Sequence, residues 1–82
     1  MPLYMDTHDM PEGATAKDVA DAHEQDLKTQ DKYDVNYINY WVDEKARKIF
    51  CLAEAPNAEA AERVHREAHG LVANVIYEVT QG

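Results

Sequence analysis

The spacing of apolar residues along this chain alternates between the period of a strand and that of a helix, and the switches delimit its elements. Residues 2–7 (Pro-Leu-Tyr-Met-Asp-Thr) alternate as a short strand, and His8 to Ala14, marked by Pro11 and Gly13, reads as a loop. Thr15 with Asp18 three residues on predicts a helix N-cap. Val19, His23 and Leu27, with Ala16 and Ala20, then carry a helix to about Lys32. Val35 to Val42 is aromatic and β-branched, which predicts a strand; Asp43 to Ala46 is a polar turn, and Lys48 to Glu54 is the returning strand. Asn57 caps a helix over 58–69, with Ala61, Val64 and Ala68 on one face and Gly70 as its stop. Asn74 to Val79 is a last strand.

The order β-α-β-β-α-β is that of a split βαβ unit. It predicts an α+β, ferredoxin-like sandwich over residues 1–82, with a four-stranded antiparallel sheet and two helices on one face. Strict alternation puts Ile49 and Cys51 on one side of the sheet and Phe50 and Leu52 on the other, with Tyr37 and Trp41 opposite Ile38 and Val42. Both faces are then apolar. The face without helices needs cover, and a second copy of the chain supplies it, so a homodimer packed sheet against sheet is expected.

Composition narrows the partners. The chain has 82 residues and a net charge of −8, with 45% hydrophobic residues. That is a folded but small domain whose core is thin. Its acidity repels nucleic acid and anionic membranes and attracts cations. No apolar run approaches the ~20 residues that cross a bilayer, and the N-terminal residues lack the basic-then-apolar pattern of a secretion signal. One cysteine, Cys51, cannot form an internal disulfide, and a cytoplasmic setting is expected.

Candidate chemistry centres on His65-Arg66-Glu67-Ala68-His69. On a helix the i,i+4 spacing stacks both imidazoles on one face, where two neutral nitrogens can share a transition-metal ion. The zinc-protease pattern is missing, because no glutamate follows His65; a solvated helix edge carrying two histidines is the plainer reading. The topology adds neighbours. His8 after the first strand, the loop carboxylates Asp9 and Glu12, and the Asp43-Glu44 turn share one end of the domain with His65 and His69. Nitrogen and oxygen donors at such a rim suit nickel, zinc, copper or cobalt, held at a solvent-open site. His23 lies between Val19 and Leu27 on the helix face toward the sheet, where a hydrogen-bonded core histidine is the common outcome; as a ligand its partner on the other helix would be His65. Cys51 reads as a small buried hydrophobe, and Tyr37, Tyr40 and Trp41 as core or interface. No phosphate loop or Ser-His-acid signature is present.

Ile49-Phe50-Cys51-Leu52-Ala53-Glu54-Ala55-Pro56-Asn57, then His65, Gly70 and Ala73-Asn74-Val75-Ile76-Tyr77-Glu78-Val79, resemble a family of small bacterial proteins. Its best understood type is a nickel-binding protein with a ferredoxin-like fold. The likeness spans nearly the whole chain. It implies a dimer that binds nickel at accessible sites and sequesters or detoxifies the metal. His65 stands where the family pattern has a histidine, whereas His69 falls where relatives often read glycine. The leading expectation is therefore a non-catalytic homodimer binding nickel through His65, His69, His8, His23, Asp9 and Glu12. The alternative is a small dimeric enzyme, of cofactor-independent monooxygenase or isomerase type, with a pocket between helices and sheet lined by His23, His65 and Tyr37.

Overall fold

The computed structural model describes residues 1–82. It has strands β1 (Leu3–Asp9), β2 (Asn36–Asp43), β3 (Lys48–Glu54) and β4 (Val75–Val79), with helices α1 (Ala16–Thr29) and α2 (Ala58–Ala68). The sheet is antiparallel in the order β2-β3-β1-β4. This is the expected ferredoxin-like α+β architecture.

Both helices begin at the residues the sequence marks. Thr15 and Asp18 form a reciprocal capping box, each side chain accepting the other's backbone N–H. The Asn57 side chain accepts from the Ala60 N–H at 2.9 Å. Gly70, at φ 81°, ends α2 in the left-handed conformation, and its N–H returns to the His65 carbonyl at 2.9 Å. The first helix stops three residues before the expected Lys32. A 3-10 turn over Gln30–Tyr33 replaces its last stretch and Asp34 turns left-handed, while the Gln30 side chain accepts the Tyr37 N–H.

Two departures from the expected strands decide what faces the helices. First, β1 runs through His8 and Asp9, because β3 pairs with it to its end, His8 opposite Ile49 and Asp9 opposite Lys48. The loop expected from His8 therefore starts after Asp9. Alternation from Tyr4 and Asp6 then carries His8 under the helices, where it is buried. Second, β2 carries a bulge between Tyr37 and Asn39. The extra residue, Ile38, shifts the phase. Tyr37 is buried below the helices, while Trp41 shares the open face with its cross-strand partner Phe50. Strict alternation had placed Tyr37 and Trp41 on the same side.

The core between sheet and helices is built from Tyr4, Val19, Ile49, Val64 and a run of small residues, among them Ala53, Ala60 and Ala61. Small side chains let α2 lie close to the sheet. On α1 the face toward the sheet is set by Val19 and Asp26, not by Leu27, which is 42% exposed. A carboxylate thus occupies a core position. No helix is long and apolar enough to cross a membrane.

Candidate metal centre

Buried polar side chains converge beneath the helices: Asp6 and His8 from β1, Asp26 from α1 and His65 from α2. A carboxylate buried this deeply is costly unless it is paired and hydrogen-bonded. Each has its partners. His65 Nδ1 lies 2.9 Å from Asp26 Oδ1, and its Nε2 lies 3.1 Å from Asp6 Oδ2. Both ring nitrogens face carboxylates, so both carry protons and His65 is an imidazolium bridging two anions. The Tyr37 hydroxyl, 2.8 Å from His65 Nε2, donates to Asp6 Oδ2 at 3.0 Å. His8 Nε2 meets Asp6 Oδ1 at 2.7 Å. His69 Nε2 reaches Asp26 Oδ1 at 3.0 Å, while its Nδ1 accepts the Leu71 N–H at 3.1 Å.

Ionisation follows from these contacts. Burial alone would lower the His65 pKa, but its hydrogen bonds to the Asp26 and Asp6 carboxylates outweigh that and raise it to about 11. Burial alone would raise both carboxyls. Hydrogen bonds from His65 and His8 hold Asp6 well below the usual range, and those from His65 and His69 lower Asp26. Burial and the Asp6 charge push the Tyr37 hydroxyl far up, and burial raises the Cys51 thiol to about 11. Desolvation lowers His23.

A cavity of about 20 Å³ opens beside this network. All four histidines, His8, His23, His65 and His69, line it, together with Asp26 and Cys51. It has room for one water or one ion and none for an organic substrate. Donor atoms lie within 4.8 Å of one another in each of two clusters: Asp6, His8, Cys51 and His65, and Asp26, His65 and His69. These are the residue types that transition metals take. Two buried nitrogens, His8 Nδ1 and His23 Nδ1, have no hydrogen-bond partner. The His23 ring rests against Tyr40, with centroids 4.5 Å apart.

The expected site residues therefore divide. His8, His23, His65 and His69 meet at one place, inside the domain instead of on an open rim. Asp9 and Glu12 do not join them. Asp9 is exposed and paired with Lys48. The loop of Glu12 is held by Arg47, whose guanidinium donates to the Pro11 and Ala14 carbonyls. The His23–His65 pairing between helices gives way to His65–Asp26 and His69–Asp26. Asp6, Asp26, Tyr37 and Cys51 complete the cluster. Period-two alternation from Tyr4 could have found Asp6, and the i,i+7 spacing from Val19 could have found Asp26; a carboxylate at such a position is read as surface. The thiol, expected to stand apart from the donors, faces them because Cys51 pairs directly across from Asp6.

The chain belongs to the family described as nickel responsive protein SCO4226-like, which matches residues 4–79. Among solved structures it is similar to SCO4226 from Streptomyces coelicolor A3(2), at 36% identity over 98% of each chain, with a TM-score of 0.88. No curated protein matches.

Proposed function

We propose that this protein binds a divalent transition metal, nickel by its family, and that it sequesters the ion instead of catalysing a reaction. One observation carries the reading: every histidine of the chain lines a single cavity of ion size, and two of them have a buried ring nitrogen without a hydrogen-bond partner. The donor set fits the group, since neutral imidazole and carboxylate are nickel ligands. The cavity volume favours an ion over the organic substrate that an enzyme of the monooxygenase or isomerase type would need. The single reduced cysteine suits a cytoplasmic setting.

Calorimetric titration of the metal-free protein with nickel at neutral pH tests this reading. One ion per chain is expected. Nickel at about a hundred times its dissociation constant should stabilise the fold by ~2.7 kcal/mol in denaturant unfolding. No heat of binding and no stabilisation would refute it.

We further propose a homodimer through the open face of the sheet. Ile38, Trp41, Val75 and Tyr77 are exposed large hydrophobics, and Leu3, Met5, Leu52 and Val79 line a groove beside Ile38 and Trp41. Apolar surface of this extent on a small acidic protein supports a self-complementary interface. Sedimentation velocity should give the dimer mass at micromolar concentration, and a monomer there would refute the interface.

A further inference from the structure

The mouth of the cavity is built differently from its walls. Strands and helices with regular backbone hydrogen bonds supply the walls, among them His8, Ile49 and Cys51 from the sheet and Val19 and Asp26 from α1. Leu71 alone comes from a segment beyond the helix caps and the strands. It is half-buried, packs against the core and lines the cavity beside half-buried His69.

That segment is hinged at one end and moored at the other. Gly70 has φ 81°, and nothing lies within 4 Å of where its side chain would begin, so the backbone is free to swing there. Asn74 is tied to β1 twice: its N–H donates to the Thr7 carbonyl at 2.8 Å, and its side-chain oxygen accepts the Asp9 N–H at 2.8 Å. Between them Val72 and Ala73 take part in no backbone hydrogen bond. The Leu71 N–H has one partner, His69 Nδ1 at 3.1 Å, and His69 is held in turn by Asp26 at 3.0 Å. A stretch so sparsely bonded opens at a lower free energy than the ladders around it.

We infer that residues 70–74 are a strap that gates the cavity, with Leu71 as its closure and the Leu71–His69 hydrogen bond as its latch. With Leu71 seated the space is about 20 Å³, enough for one water or a bare ion. A hydrated ion exceeds it, so entry requires the strap to pivot at Gly70 and withdraw Leu71. His69 is both wall and latch, which couples the strap through Asp26 to the buried network. The role of the strap in admitting an ion rests on the metal-binding reading; the gate itself does not.

Cys51, the single cysteine, is buried and lines the cavity, so its reaction with a small reagent reports opening. Methyl methanethiosulfonate serves as the probe. The Cys51 thiol loses its proton, the thiolate sulfur bonds to the methylthio group, and methanesulfinate leaves; mass spectrometry follows the addition. Denaturant unfolding of each variant measures its global stability in parallel. In wild type the labelling rate should stay flat as urea rises to well below the unfolding midpoint, the mark of a local opening. Leu71→Ala should label at least ~10-fold faster and Asn74→Ala about 5-fold faster, both still flat in urea, since each loses apolar contact or a hydrogen bond that seats the strap. Labelling that climbs with urea as steeply as global unfolding would overturn the gate. Wild-type labelling rates in Leu71→Ala would overturn it as well. The thiol readout needs no metal, so its failure is distinct from a failure of the metal-binding reading.

Discussion

Both faces of the sheet depart from the usual division into an apolar inside and a polar outside. The face beneath the helices, normally the apolar one, carries Asp6, His8, Tyr37 and Cys51 and meets Asp26 and His65 from above. The open face, normally polar, presents Trp41, Tyr77, Ile38 and Val75. The difference teaches that burial here serves two ends. The inner face spends its shelter on holding charges and donor atoms in fixed positions, where low dielectric makes each hydrogen bond count. The outer face carries apolar surface of its own, beyond the core that Tyr4, Ile49 and Ala53 build on the inner one.

The comparison breaks most sharply at His65. His65→Ala leaves Asp6 and Asp26 as buried anions without their shared cation, and should cost ~3–5 kcal/mol in denaturant unfolding. A loss under ~1 kcal/mol would mean that the inner face is not held by charge. The same network sets a pH dependence for the metal-free protein. The folded pKa of His65 is raised from 6.5 to about 11, so its contribution is fully present below ~6.5 and is lost as pH rises toward 11. The two lowered carboxyls act in the opposite sense, contributing above ~3.9 and failing as pH falls through their folded values. Thermal unfolding should therefore show a midpoint that falls from about pH 7 to about pH 10, by ~4–8 °C for each kcal/mol lost. A midpoint rising over that interval would contradict the imidazolium.

On the outer face Trp41→Glu should turn the dimer into monomer in sedimentation, while each chain's own stability moves by no more than ~1 kcal/mol. A variant that stays dimeric would place the interface elsewhere. Smallest of all should be Asp9→Ala combined with Glu12→Ala. An exposed ion pair is worth ~1 kcal/mol or less, so stability should change little and nickel affinity by less than about twofold. A tenfold loss would return the site to the surface rim.

Much of the fold was legible because it rests on local signals: Thr15, Asn57 and Gly70 bound the helices where their chemistry requires. The strand faces were legible only where pairing stays regular. A single bulged residue, Ile38, reversed the placing of Tyr37 against Trp41, and nothing in the local sequence announces a bulge. The gathering of the histidines was readable from topology, but their setting was not. His8 moved from loop to strand through pairing with β3, a long-range effect, and burial of Asp6 and Asp26 depends on His65 arriving from another element.

The most direct test is a crystal grown with nickel and measured at the nickel absorption edge. The account predicts an anomalous peak inside the cavity that His8, His23, His65 and His69 line. Peaks confined to exposed carboxylates such as Asp9, with the cavity empty, would contradict it.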